Sequence, residues 1–209
     1  MLKVETLTLG AMQTCCYIVY NTESMEAVIV DPGAQPEKII AAANSLSVNV
    51  RHILLTHAHF DHIGAADALV LSYNCPITVS QADEQLLYDP RLNLSHNFRG
   101  DVTVDSKNII TVNDSKAELI DNSFEFIMTP GHTNGSMCIK TGNIIFTGDT
   151  LFYCSVGNDF PPYGSIEREI KSIKDKLLVL NGDFICYPGH GRSTTLDFER
   201  RNNPYLHGA

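Results

Sequence analysis

Four residues able to bind a metal ion fall within six positions of the chain. The segment Thr56-His57-Ala58-His59-Phe60-Asp61-His62-Ile63-Gly64 holds three imidazoles and a carboxylate. The apolar run His52–Leu55 precedes it and reads as a strand. Residues two apart on an extended exit share a side, so His57 and His59 can converge on one ion. The chain then turns into a helix, where the adjacent Asp61 and His62 can aim at a second ion beside the first. Open α/β sheets place their ligands at the carboxyl ends of strands, which is where this segment sits. A solvated polar loop is the plain alternative, and three His with an Asp at this spacing argue against it.

Three further turns each bring one ligand type directly after an apolar strand: Thr129-Pro-Gly-His132-Thr133-Asn-Gly135, Thr147-Gly-Asp149-Thr-Leu-Phe152 and Tyr187-Pro-Gly-His190-Gly191. Their glycines let the backbone turn sharply so that one side chain projects inward. Alone, each is an ordinary Gly-rich turn. With the first motif they complete a set of His57, His59, Asp61, His62, His132, Asp149 and His190, more than one tetrahedral or five-coordinate ion can use. Imidazole and carboxylate donors suit Zn, Fe or Mn. Two divalent ions are expected, with zinc first and iron or manganese as competitors.

The elements that must position these residues are short. Strands are predicted over Leu2–Leu9, Cys15–Tyr20, Ala27–Val30, His52–Leu55, Ile77–Val79, Phe124–Met128, Met137–Ile139, Ile144–Phe146 and Phe184–Tyr187. Pro36 opens a helix whose apolar stripe is Ile39, Ala43 and Leu46. A second helix runs from near His62 to Tyr73. A third carries Ile166, Ile170, Ile173, Leu177 and Leu180 at helical spacing, with Ser165 as N-cap, Glu167 and Glu169 in the first turn and Gly182 beyond its end. Tyr88–Ser106, with its Asn, Asp, Gly and Pro residues, is expected to be a loop over the site. Strands mixed with helices imply an α/β or α+β layered fold, and 209 residues suit one domain over 1–209.

Composition narrows the function. A formal charge of -9, with 15 Lys and Arg scattered along the chain, gives nucleic acid no basic patch to bind. Lys171, Lys174 and Lys176 fall on a solvated helix face. No run reaches the roughly 18 apolar residues needed to span a bilayer and no signal sequence opens the chain, so a cytoplasmic location and no membrane partner are expected. The six cysteines form no C-x-x-C pair and read as reduced, mostly buried thiols, with Cys15 and Cys16 on opposite faces of a strand.

The order T-H-x-H-x-D-H, P-G-H-T, G-D-T, P-G-H-G resembles the metallo-β-lactamase superfamily, and more narrowly its glyoxalase II-like (hydroxyacylglutathione hydrolase-like) branch. The resemblance extends from the Val-Asp31-Pro-Gly33 turn to Thr194-Thr195-Leu and Glu199-Arg200…Asn203-Pro204. It implies a four-layer αβ/βα sandwich with the metals at one edge between two sheets. It also implies that His57, His59 and His132 hold one ion, that Asp61, His62 and His190 hold the other, and that Asp149 bridges them. An Asp bridge in place of a Cys ligand favours the thioester-hydrolase-like branch over the lactamases that use Cys there.

Two dications against two carboxylates leave a centre near +2, able to attract a small anionic substrate to an acidic protein. Metal binding lowers the pKa of water from about 15.7 to about 7, which supplies hydroxide without a Ser or Cys nucleophile. Asp61 is the candidate to orient that hydroxide or carry its proton. The expected function is hydrolysis of a small thioester such as an acyl-glutathione, or of a related ester. A mononuclear-iron persulfide dioxygenase of the same fold is the alternative, and a β-lactam or lactone hydrolase a weaker one. Oligomeric state is left open.

Asp31, Thr56, Thr133 and Thr195 lie beside motif positions and are candidates to fix a His tautomer or a turn. Glu199 and Arg200 read as a terminal structural pair. His52, His96 and His207 fall outside the ligand set. In Gly157-Asn158-Asp159-Phe160-Pro-Pro-Tyr163 the chain departs from the branch, whose pattern has Arg where Asn158 stands. Tyr163 is a candidate for the entrance. The glutathione thioesterases carry a C-terminal helical domain, and only 19 residues follow His190 here, so their glutathione pocket cannot be present in its usual form.

Overall fold

The computed structural model describes residues 1–98, 100–160 and 162–207. The chain opens with β1 (Leu2–Leu9), β2 (Thr14–Asn21) and β3 (Glu26–Val30), an antiparallel meander. It continues through α1 (Pro36–Leu46), β4 (Asn49–Leu54), α2 (Phe60–Ile63), α3 (Ala66–Tyr73), β5 (Ile77–Ser80) and β6 (Ile109–Val112). β3 to β6 pair in parallel and complete a first sheet in the order β1-β2-β3-β4-β5-β6. The second half supplies β7 (Ser115–Leu119), β8 (Asn122–Met128), β9 (Met137–Thr141), β10 (Ile144–Gly148), a small hairpin of β11 (Leu151–Phe152) and β12 (Ser155–Val156), and α4 (Ile166–Ser172). β13 (Ile185–Pro188), β14 (Thr194–Thr195), α5 (Leu196–Asn202) and α6 (Pro204–His207) follow, and the second sheet runs β14-β13-β10-β9-β8-β7.

Period-two alternation sorts the strand residues into three apolar layers. Cys15, Tyr17, Val19, Val28, Val30 and Leu54 of the first sheet meet Phe124, Phe126, Met137, Ile139 and Phe146 of the second. Their neighbours Cys16, Ile18, Ala27, Ile29 and Ile53 turn the other way, onto Ile39 and Ala43 of α1 and Leu69 of α3. Cys138, Ile145 and Cys186 face Ile173, Leu177, Leu196 and Leu206. The result is helix, sheet, sheet, helix, with the apolar sheet-to-sheet layer in the middle. Each buried Phe or Ile there contributes about 1.5–3 kcal/mol relative to exposure. All six cysteines are free and five are buried; Cys15 and Cys16 lie on opposite faces of β2.

Local sequence explains where the elements stop. Pro36 is the first residue of α1. Ser165 Oγ accepts from Arg168 N–H at 3.3 Å and caps α4. The apolar stripe expected to run as one helix to Leu180 is regular only to Ser172 and then widens into a π-turn over Ile173–Leu177. The helix expected from His62 to Tyr73 is broken into α2 and α3. At the break, Gly64 packs on the backbone of Gly33: a Cβ on Gly33 would sit 1.6 Å from the Asp61 carbonyl, and one on Gly64 would sit 2.4 Å from the Gly33 carbonyl. The metal-type turn therefore rests backbone to backbone on the Asp31-Pro32-Gly33 turn. β6 and β7 escape sequence reading because, at the sheet edges, they bury too little to alternate cleanly.

The two sheets are joined at one end. Cys15 N–H donates to the Gly189 carbonyl at 2.7 Å, Thr14 bridges His190, and Tyr17 O–H donates to the Pro188 carbonyl. Met137 N–H reaches the Thr56 carbonyl at 2.8 Å. Among the described residues no helix is long and apolar enough to cross a membrane.

Candidate metal centre

Four strand ends deliver their side chains to this seam. β4 leads to His57, His59, Asp61 and His62; the turn after β8 carries His132; β10 ends one residue before Asp149; and β13 ends two residues before His190. The seven residues gather into three overlapping groups whose donor atoms lie within 4.8 Å of one another: His57, His59 and His132; His57, His62 and Asp149; and Asp61, His62 and His190. Among the described residues none of these groups includes His52, His96 or His207. Asp149 stands between, with Oδ1 3.5 Å from His62 Nε2, and Oδ2 3.6 Å from His132 Nε2 and 3.5 Å from His190 Nε2.

Three of the five imidazoles, His57, His132 and His190, have their Nδ1 hydrogen-bonded away from the cluster. His132 Nδ1 is 2.8 Å from the Asn158 carbonyl and His190 Nδ1 is 3.1 Å from the Met12 carbonyl; a carbonyl only accepts, so both nitrogens carry the proton. Thr56 spends its hydroxyl proton on Asp31 Oδ2 at 2.6 Å, so its oxygen accepts from His57 Nδ1 at 3.2 Å. His62 Nδ1 lies 3.0 Å from Asp31 Oδ2. In His57, His132 and His190 this outer bond turns Nε2 towards the cluster, the arrangement that fixes the tautomer of a metal ligand. His57 Nε2, His62 Nε2 and Asp149 Oδ1 are buried without a hydrogen-bond partner, which is costly unless a cation satisfies them. A Cβ on Gly189 would lie 2.1 Å from Asp149 Oδ1, so only glycine leaves that cradle open. The donor set fits divalent ions.

Charge balance points the same way. Burial opposes it, yet Asp61, Asp149 and Asp31 hold the His62 imidazole up at about 9, and His190, pressed against Asp149 and Asp61, rises to about 11. Burial and the surrounding imidazoles, His132 foremost, push His59 down to about 3, and His57 is lowered by burial and by His62. Despite burial, Asp61 and Asp149 are held below the usual carboxylate range by these histidines. Among the protein groups alone, protons on His62 and His190 supply the positive charge that the carboxylates demand; metal ions would displace them.

The neighbouring candidates divide. Asp31 accepts from Thr56 N–H at 2.8 Å as well as from its hydroxyl, tying β4's exit to His62. Thr133 O–H donates to Asp83 at 2.8 Å, and Asn158 serves through its backbone carbonyl. Thr195 is not at the site: its hydroxyl accepts from Phe198 N–H and caps α5. Tyr163 does not line the cavity either, and its carbonyl accepts from Arg168. Glu199 and Arg200 do not pair. Glu199 is buried and accepts from Thr194, Asn203 and Cys154, while Arg200 binds Asp197 and the carbonyls of Leu178 and Gly182.

Two residues escaped sequence reading. Asp83 is fully buried and accepts from Ala58 N–H at 3.2 Å, Gly135 N–H at 2.7 Å and the Thr133 hydroxyl, joining the His57–His59 turn to the His132 turn. Nothing in the polar run Ser80–Gln85 marks it. Glu169 looks like a solvated first-turn acid but is fully buried, and neither of its oxygens has a partner. Burial, then Asp149 and Asp159, raise its carboxyl to about 9. Between about pH 4.5, where the unfolded chain ionises, and pH 9 the folded protein keeps a proton that the unfolded chain has lost. Stability contributed by this group therefore falls as pH rises through that window. Glu169→Gln, which has no such proton, is expected to gain melting temperature over the parent progressively from pH 5 to pH 9; a difference that stays constant with pH would show Glu169 to be ionised.

A cavity of about 670 Å³ opens over the cluster, lined by His59, Asp61, His132, Asp149 and His190 at its floor. Leu94, Asn97 and Phe98 of the expected loop form one wall. That loop is held by Asn93, whose side-chain amide donates to the carbonyls of Leu86 and Val102, both at 2.9 Å.

Two mixed sheets between helices, with a His and Asp cluster where strand ends meet, define a metallohydrolase architecture. Residues 9–190 match the metallo-beta-lactamase superfamily, to which the chain belongs. It is a metallo-hydrolase of that superfamily. The hydroxyacylglutathione hydrolase GloC of Haemophilus influenzae is 33% identical over 210 residues, covering 98% of each chain. The crystal structure of BLEG-1 B3 metallo-beta-lactamase is similar with a TM-score of 0.92 and 34% identity over 100% of both chains. TTHA1623 in a di-iron-bound form matches with a TM-score of 0.84 and 32% identity, covering 97% of this chain and 100% of that one.

Proposed function

We propose that this protein hydrolyses a small thioester, using two divalent ions held by the seven-residue cluster. The observation that carries the reading is the similarity, over 98% of both chains, to a protein named hydroxyacylglutathione hydrolase. His57, His59 and His132 would hold one ion and Asp61, His62 and His190 the other, with Asp149 between them. When bound, such ions lower the pKa of water and polarise a carbonyl. Zinc is the proposed metal, and the di-iron form of TTHA1623 makes iron its main competitor.

The chain's own groups do the rest. Asp61 accepts from the Thr14 hydroxyl at 2.9 Å, is kept ionised by His62 and His190, and faces the cavity, so it is placed to take a proton from an attacking water. The apolar walls exclude bulk water from the reacting carbonyl. A second reading, β-lactam hydrolysis, is favoured by the likeness to BLEG-1. Lactoylglutathione, a neutral acyl thioester, a β-lactam, a homoserine lactone and glutathione persulfide, supplied to Zn-, Fe- and Mn-loaded protein, separate these. The expected result is faster cleavage of a thioester than of the β-lactam, without oxygen uptake. Oxygen uptake with the persulfide on the iron form, and no thioester cleavage on any form, would replace this reading with a dioxygenase.

A further inference from the structure

Above the floor of metal-type ligands, the cavity wall is apolar. Met12, Phe60, Leu94, Phe98, Phe152 and Phe160 line it, and the amides Asn97 and Asn158 are the remaining polar lining groups. Among the described residues no lysine or arginine lines it. Three of these side chains are large apolar groups left in solvent: Phe98 is 52% exposed, Phe160 47% and Met12 44%. Exposed apolar groups gathered around one concave site mark a place where something apolar is bound. The aromatics also start immediately beside the ligand rings. Phe160 lies 6.2 Å from the His132 ring and Phe152 6.3 Å from the His190 ring, while Phe98 packs on Phe60 at 4.7 Å further out.

We infer that this cavity takes a bulky apolar acyl group, of medium-chain aliphatic or aryl chemistry, with the thiol carrier directed out of the mouth. The inference rests on the thioester reading above. Of the two groups flanking a carbonyl over the cluster, one meets Phe152 and Phe160, and an apolar acyl group suits that wall better than a polar thiol carrier. Small hydroxyacyl groups leave the wall unfilled, and their hydroxyl finds only amides and the floor.

The test is a series of acyl thioesters on one neutral thiol, N-acetylcysteamine: acetyl, lactoyl, butanoyl, hexanoyl and phenylacetyl, assayed with the protein as isolated. Burying a methylene is worth roughly fourfold, so kcat/KM is expected to rise at least about 30-fold from acetyl to hexanoyl, with phenylacetyl in the same range. Phe98→Ala and Phe160→Ala, on exposed side chains, should each compress the hexanoyl-to-acetyl ratio by about five- to tenfold. Leu71→Ala, 89% exposed and away from the cavity, should leave that ratio unchanged. A series that is flat or falls with acyl size, or in which lactoyl is best, overturns the inference. If no thioester is turned over, the functional reading fails separately, and binding of acetate, hexanoate and phenylacetate by calorimetry still decides the pocket. Tighter hexanoate and phenylacetate support it, and equal affinities overturn it.

Discussion

Asp149→Asn is expected to lower thioester turnover by about a thousandfold and to reduce bound metal, while the protein still folds. The substitution keeps the shape of the side chain and removes one negative charge from a buried cluster of five imidazoles. Asp149 reaches towards both halves of the cluster, with one oxygen 3.5 Å from His62 and the other 3.6 Å from His132. Two dications held side by side, as proposed, would repel each other strongly at low local dielectric, and a carboxylate shared between them would offset this. An amide offers one neutral donor oxygen in its place. The loss of several kcal/mol of carbonyl polarisation and water activation corresponds to the stated factor. Elemental analysis beside kinetics decides the matter, and a variant with both metals and full activity would move the bridging role to another residue.

Asp83→Ala should cost about 3–5 kcal/mol of stability and lower the melting temperature by roughly 10 °C. It strands two buried donors, the N–H groups of Ala58 and Gly135, and leaves the Thr133 hydroxyl with Ser136 alone. The carboxylate tolerates its own burial, which pushes its pKa up, because these donors pull it back. Activity should fall along with stability, since the turns carrying His57, His59 and His132 lose the group that sets their spacing. Asp83→Asn, which keeps one acceptor oxygen, should fall between. Thermal melts that leave the Ala variant unchanged would mean the turns hold their register through the backbone alone.

Ligand-type residues were legible in the sequence because all follow apolar strands, four of them crowded into His57–His62 and the other three, His132, Asp149 and His190, each next to a glycine, so type, spacing and local structure agree. The same alternation marked the core strands, while the order of the layers came from the resemblance to the superfamily. What stayed hidden has a common physical cause. Asp83, Glu169 and Glu199 look like surface acids, and only the tertiary packing of turns from distant parts of the chain buries them. Thr195 lies beside a motif yet caps a helix, a use of hydroxyls that local sequence does not separate from support of a ligand. Tyr163 misled in the same way, because its direction depends on a loop that no periodicity fixes. The break between α2 and α3 was not read from the sequence, because the reason for it, the backbone of Gly33 against Gly64, is 31 positions away.

The seam between the two sheets also sets the order in which this chain can be built. Tyr17 reaches a partner 171 positions along the chain and His190 one 178 positions back, so these links form only after nearly the whole polypeptide has collapsed. By residue 112 the first sheet has all its strands, yet its inner face of Cys15, Tyr17, Val19, Val28 and Val30 has nothing to cover it until β8, β9 and β10 arrive. Such distant pairings are slow to close, and an uncovered apolar sheet face associates with copies of itself in the meantime. Refolding from denaturant therefore becomes a race between the second sheet of the same molecule and the first sheet of another. Its yield falls as the protein concentration rises.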